Sequence, residues 1–512
     1  MQGFMTRHDA NVVGALHGFD RVLFRGTLRS ISYLSGMDAW LASQRVLYKN
    51  FGTFAEAISK QVRDHARQFA EKHGRPYEYL ASAGVSKEDV ARDIMQRDNI
   101  ERGLVCVLGC VELCKSFTIR KNRDEKKLNL VAANRKCLFL YFYFVDREFG
   151  LMHIRLQTWL PMPIQVCLNG REYLARRLDR AGIGYEKVGN CFTRIDDLKA
   201  AQRMMDDLEK RNWCSFLNAL ARRVNPWMHS SNPLDLHGYY WTLRESEYAT
   251  DVMFRDDASL AAIYPALVSH AISQFDCHNV MRFLGRRTNV LFSGEASSNV
   301  KHRTEGVRVK HWVEENSIKM YDKAGSVLRI ETTMNNPRRF KVRRRATRKG
   351  QSVLAWIPLR KSVADITRRV DICRAANERY LEALGVVGEP SPTHQLLDPV
   401  SKRIVRRGRS YRALRPIDPV EAKLFAALLD GEFLLHGFRN KDLRCRIYPR
   451  ARTDDDRRRA SGRITRMLRL LRAHGLIRKV SHTFNYRVTS KGQRLMTTSL
   501  KLRRTSFLAL AA

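Results

Sequence analysis

The phrase IKMYDKAGSVLRIETTM places a phenol, Tyr321, among the carboxylates Asp322 and Glu331 and the amines of Lys319 and Lys323. It reads as two strands around the turn DKAG. Alternation puts Lys319 and Tyr321 on one face of the first strand, and Arg329 and Glu331 on one face of the return. That company suits transesterification: a tyrosine phenoxide attacks a phosphodiester and forms a reversible covalent link, while a divalent metal, Mg²⁺ or Mn²⁺, polarises the phosphate. Tyr173, in the helical phrase GREYLARR, is an alternative nucleophile.

A second chemistry needs only carboxylates. Two-metal nucleases gather Asp and Glu on strands to hold Mg²⁺ around the scissile phosphate, and Asp20, Asp146, Glu148 and Glu331 fall on strands or at their ends. Each also reads as an ordinary turn carboxylate or as an ion-pair partner of the abundant arginines. In LMHIRLQTWL, His153, Arg155, Gln157 and Trp159 share one face, so His153 and Gln157 join Glu331 as candidate metal ligands. Their plainer reading is as hydrogen-bonded members of a half-buried sheet. Cys106, Cys110 and Cys114, spaced by four, would align thiolates on a helix or form a buried small-residue stripe, and no fourth ligand is apparent. There is no CxxC pair, Walker loop, dinucleotide glycine fingerprint, GxSxG elbow or zinc-protease helix, so no nucleotide or flavin cofactor is expected.

Charge identifies the partner class. The chain has 92 Lys plus Arg against 52 Asp plus Glu, a formal +40 on 512 residues. A surplus of that size repels itself in a compact fold and is best neutralised by a polyanion, with nucleic acid the first candidate. The densest run is PRRFKVRRRATRKG at 337–350, where eight of fourteen residues are Arg or Lys, including Arg338, Arg339, Arg343, Arg344 and Arg345. Such an arm tracks a phosphate backbone while Phe340 packs or stacks on a base. No run reaches the roughly 18 apolar residues of a membrane span, and MQGFMTRHDANVVG lacks the apolar core of a secretory signal. A cytoplasmic location without a membrane partner is expected. Scattered cysteines fit reduced thiols.

The elements that must position these groups are mixed. Hydrophobic residues make up 44% of the chain, which therefore folds rather than remaining a basic tail. Strands are expected at 20–26, in the hairpin that begins at Lys136, in YYWTLRESEYATDVMF and in GVRVKHWV, with helices between them. The expected class is α+β: a mixed or antiparallel-sheet body with inserted helices, plus a C-terminal winged helix-turn-helix domain. Boundaries are drawn at 1–135, a central palm-like region 136–385, a Pro-, Gly- and Arg-rich linker 386–415, and 416–502.

In that last region three helices precede HGLIRKV and NYRVTSKGQRLM, an order that resembles the winged helix-turn-helix of MarR-type regulators. Ile464, Met467, Leu468 and Leu471 form the apolar side of the third helix. Arg458, Arg459, Arg463, Arg466 and Arg469 then face phosphates or guanine edges, Ser461 and Thr465 add contacts, and the wing offers Lys479, His482 and Arg487. The YDK turn followed by R-x-E is similar to phrases in rolling-circle replication initiators of plasmids and phages, although their paired His-x-His is missing here. These resemblances imply a DNA-processing protein of a mobile or extrachromosomal element. The alternatives are a non-catalytic regulator that binds palindromes as a dimer, and an RNA-binding component of a ribonucleoprotein.

Overall fold

The structure is a computed structural model. It describes residues 1–504 other than 125, 230–233, 235, 237, 287–294, 304–305, 349, 386–392, 407, 431–432, 435–436 and 452. Helices and strands alternate along the chain in an α+β architecture, divided into two compact units. The first unit comprises His17–Tyr248 and Arg360–Thr367. The second comprises Met1–Leu16, Ala249–Leu359 and Arg368–Ala512. Among the described residues, no helix is long and apolar enough to cross a membrane.

The first unit is built on β1 (Val12–Thr27), β2 (Tyr77–Leu80), β3 (Gly103–Asn122), β4 (Lys127–Asp146), β5 (Gly150–Gln157) and β6 (Ile164–Asn169). A small hairpin, β7 (Tyr185–Val188) with β8 (Cys191–Ile195), stands apart, and β9 (Tyr240–Phe254) returns to the sheet. The strand order is β9-β1-β6-β5-β4-β3-β2, with β2 parallel to β3. Ser86 caps helix α1 (Lys87–Arg97), its Oγ accepting from the Asp89 amide at 3.3 Å. Asn169 caps helix α2 (Gly170–Ala181), which stops at Gly182 with φ 64°. Gly170 is required there, because a Cβ would lie 2.1 Å from the Phe19 carbonyl oxygen.

LVCVL and SFTIR, two separate runs by pattern, belong to one strand of 20 residues, β3. Its length corrects the helical spacing of the cysteines. Four residues on a strand span about 13 Å, so Cys106, Cys110 and Cys114 share a face but cannot share one ion. Cys114 is instead disulfide-paired with Cys137 of β4, where scattered spacing pointed to free thiols.

The second unit carries an antiparallel sheet, β10 (Ala296–Arg303), β11 (Gly306–Val313), β12 (Asn316–Lys323) and β13 (Val327–Thr333), in the order β10-β11-β12-β13-β9. The hairpin β14 (Lys341–Arg348) with β15 (Gln351–Pro358) follows, then helix α3 (Ile366–Leu384). Alternation buries Val309, Ile318, Met320, Leu328 and Ile330 on one side of the sheet. His311 lies on that same side, its Nδ1 2.7 Å from Ser298 Oγ and its Nε2 3.0 Å from Tyr380 Oη. Burial lowers its pKa to about 4. Because that lies below the unfolded value, the stabilisation is complete above about pH 6.5 and is lost as pH falls towards 4. His311→Gln should therefore flatten the decline in thermal midpoint between pH 7 and 4, and an unchanged profile would contradict this account.

The stretch read as a linker is structured wherever it is described. It contains a short hairpin, β16 (Ile404–Arg406) with β17 (Arg409–Tyr411), and sends Val400 and Leu414 into the C-terminal core; 386–392 and 407 lie outside the described residues. That core gathers Phe425, Leu428, Leu443, Ile464, Leu468, Leu471 and Leu495. They come from α4 (Pro419–Leu428), α5 (Asn440–Ile447), α6 (Asp454–Ala473) and α7 (Ser490–Arg504), and β18 (Ile477–Lys479) pairs with β19 (Tyr486–Val488) between the last two helices.

Candidate functional site

The hairpin β12–β13 has the expected faces: Lys319 pairs with Glu331 and Tyr321 with Arg329. Lys319 Nζ donates to Glu331 Oε1 at 2.6 Å, and Tyr321 Oη donates to Oε2 of the same carboxylate at 2.8 Å. Burial opposes the Glu331 charge, yet Lys319 and Tyr321 hold its pKa below the ordinary glutamate value. A carboxylate so stabilised is a weak base. Arg329 is fully buried and bidentate to Asp251, with Nε at 2.6 Å and Nη2 at 2.9 Å, so it is a core ion pair rather than a phosphate ligand. The Asp322 amide donates to Tyr264 Oη at 3.1 Å on the opposite face, and burial raises the Asp322 carboxyl. Lys323 is half-buried on the Tyr321 face.

Other candidates separate. Tyr173 lies in the first unit, its ring buried 5.4 Å from Phe149, which removes it as a nucleophile. Asp146 Oδ1 accepts from the amides of Glu148 and Phe149 at 2.8 and 3.1 Å, and Glu148 pairs with Arg211: both are turn and ion-pair carboxylates. Gln157 is buried and donates to the Trp159 carbonyl at 2.9 Å, so it is not placed as a ligand.

Asp20 and His153 do come together. They line a cavity of about 690 Å³ in the first unit, with Glu247, Glu88, Glu172, Arg21, Arg92 and Arg176. Glu88 is held by Arg92 at 2.6 Å and Glu172 by Lys187. A carboxylate oxygen of Asp20, buried on β1, lies within 4.8 Å of one on Glu247 of β9, and Asn190 Nδ2 donates to Asp20. His153 packs 5.1 Å from Tyr143, and burial lowers its pKa to about 4, leaving a neutral imidazole at pH 7. Two facing carboxylates suit a divalent cation, the imidazole lines the same cavity, and the surrounding guanidinium groups suit the phosphate that a cation would polarise. Glu247 escaped the sequence reading. Its only signal was a carboxylate alternating within a strand, 227 residues from Asp20.

No family model, curated protein or solved structure matches the chain. The site therefore rests on geometry and chemistry.

The basic elements divide between exposed and engaged groups. Arg458, Arg459, Arg463, Arg466 and Arg469 are exposed on α6, opposite buried Ile464, Leu468 and Leu471. Ser461 and Thr465 are not offered to a ligand: Ser461 Oγ donates to Asn440 Oδ1 and Asn440 Nδ2 donates to Thr465 Oγ1, both at 2.9 Å, tying α5 to α6. Lys479 lines a hollow of about 640 Å³ with Arg406, Arg409, Arg469, Arg472 and Arg478. The exposed Arg487 lies beside Asp371 of α3. Within the 337–350 arm, Pro337–Arg339 form a short 3-10 turn and Lys341–Arg348 is β14, with 349 outside the described residues: Arg338, Arg339 and Arg345 are exposed, Arg343 and Arg344 half-buried, and Arg339 pairs with Glu314 at 2.9 Å. Phe340 is 1% exposed and serves the core, which corrects its reading as a base-stacking ring.

Proposed function

We propose that this protein binds DNA through a winged-helix-like C-terminal domain and cleaves a phosphodiester in the cavity of the first unit with Mg²⁺ or Mn²⁺. The observation that carries the reading is the facing pair Asp20 and Glu247 in a cavity also lined by arginines. Asp20 and Glu247 would hold a divalent cation, which would supply Lewis-acid neutralisation of charge at the scissile phosphate. Arg21, Arg92 and Arg176 would orient the phosphate. Neutral His153, which lines the same cavity, would accept a proton there.

Water is the favoured nucleophile over Tyr321, because the phenol donates to a carboxylate held too acidic to deprotonate it. Support for DNA comes from the helix, helix, helix, hairpin, helix order and from the six cations of the hollow beside α6. Arg463→Ala and Arg466→Ala should each weaken duplex binding and lower the salt slope by about 0.9. An unaltered slope in both would remove α6 from the interface. The decisive experiment is conversion of supercoiled plasmid to nicked circles with Mg²⁺, and its loss in Asp20→Asn. Tight palindrome binding with no cleavage under any divalent metal would favour a non-catalytic regulator, the reading to which the internal pairing of Glu88 and Glu172 already lends weight.

A further inference from the structure

We propose that the hairpin β16–β17, which lies outside the winged-helix order, is a second DNA-contacting element that grips the phosphate backbone of a duplex together with the end of α6 and with β18. The inference rests on the DNA-binding reading and deepens it. The three elements meet at the hollow of about 640 Å³, to which α6 contributes Arg469 and Arg472, β18 contributes Arg478 and Lys479, and the hairpin contributes Arg406 and Arg409. All six side chains are exposed, and no Asp or Glu is among the described residues that line the hollow.

These charges are not neutralised within the protein. Arg409, Arg469, Arg472, Arg478 and Lys479 make no ion pair among the described residues. Arg406 Nη1 donates to the Arg472 carbonyl at 2.6 Å, and the partial negative charge of that helix end offsets only part of one cation. The register sets Arg406 directly opposite Arg409, beside Gly408 with φ 72°. Like charges directly opposite destabilise a pair of strands, and these strands have only three residues each. A phosphate between the two guanidinium groups removes the repulsion.

The hairpin is held by its ends. Val400 before it and Leu414 after it are buried in the C-terminal core, the Leu414 amide donates to the Val400 carbonyl at 2.9 Å, and Nε2 of the buried His474 lies 2.9 Å from the Arg412 carbonyl oxygen. Its arginines are therefore presented beside α6 in advance, and contact with a phosphate costs little ordering of the backbone.

What leads to the hollow decides what enters it. Arg463, Arg466, Arg469 and Arg472, spaced by three, form a ridge that crosses the exposed face of α6 over about 14 Å and ends at the hollow. A small polyphosphate would fill the hollow and leave the start of that ridge bare, whereas a nucleic-acid backbone covers both. Tyr411, half-buried, is the one aromatic residue among the described lining residues, so the hollow offers phosphate contacts rather than a stacking surface for unpaired bases. That favours a duplex.

The test is fluorescence anisotropy of the full-length protein with a labelled DNA duplex of about three helical turns, in EDTA. Arg409→Ala with Arg478→Ala should weaken binding about tenfold and lower the salt slope by about 1.8, the loss of two phosphate contacts. Arg409→Lys with Arg478→Lys should keep the slope, and the thermal midpoint of both variants should stay at the wild-type value, since neither side chain is bonded within the protein. An unaltered slope in the alanine variant overturns the proposal, as does tighter binding of an RNA duplex of the same length by the wild-type protein. Calorimetric binding of sodium tripolyphosphate that the alanine variant loses, with duplex affinity retained, overturns it in favour of a compact anion. Failure of the DNA-binding reading itself is seen separately, as wild-type protein that does not bind the duplex at low salt. Binding that Arg466→Ala weakens and the hollow variant does not rejects the hairpin contact alone.

Discussion

Asp20→Asn and Glu247→Gln are each expected to slow Mg²⁺-dependent nicking of supercoiled plasmid by at least about a hundredfold while leaving duplex affinity unchanged. Both substitutions keep side-chain volume, so the cavity keeps its shape and loses only anionic charge. The expected size follows from what a catalytic metal supplies, several kcal/mol of charge stabilisation, each 1.4 kcal/mol being about tenfold in rate. EDTA should abolish the reaction in the wild-type protein, and added Mn²⁺ should restore it. Tyr321→Phe should retain nicking, since Glu331 is too weak a base to generate the phenoxide. If Tyr321→Phe instead removed all activity and Asp20→Asn did not, the site would belong on β12 and water would not be the nucleophile.

Breaking the Arg329–Asp251 pair should cost more stability than any substitution on the cationic surfaces. Both side chains are essentially inaccessible, 1% and 0% exposed, and joined by two hydrogen bonds. Removing one partner strands the other charge in the interior, which typically costs about 3–5 kcal/mol. Arg329→Met and Asp251→Asn should each lower the thermal midpoint of the unfolding transition markedly. Combining Arg329→Met with Asp251→Leu should recover much of the loss, because no unpaired charge remains. A midpoint within a degree or two of wild type for either single variant would falsify the assignment of this pair as a buried structural ion pair.

How much of this was legible beforehand depended on how far apart in sequence the partners lie. The hairpin around DKAG followed from alternation over adjacent residues, and Lys319 facing Glu331 with Tyr321 facing Arg329 is a short-range consequence of a tight turn. The arginine side of α6 likewise follows from the helical period within one element. Cys106, Cys110 and Cys114 misled because spacing by four is compatible with a helix or a strand, and only pairing with β4 decides between them. Phe340 could not be placed, since a ring within a basic run serves a base or a core equally well until its neighbours are known.

The sequence by itself determined the net charge, the alternation of the strands and the faces shared by Lys319 with Tyr321 and by Arg329 with Glu331, because charge and periodicity are properties of the chain read locally. Only the tertiary structure decided which carboxylates meet. Asp20 was one of several acidic residues on strands, and Glu247 was invisible until β9 returned to the sheet beside β1. The same folding took Arg329 and Tyr173 out of the candidate chemistry by burying them. A facing pair of carboxylates of this kind is set by long-range strand order, which the packing of the sheet selects and which no local pattern encodes.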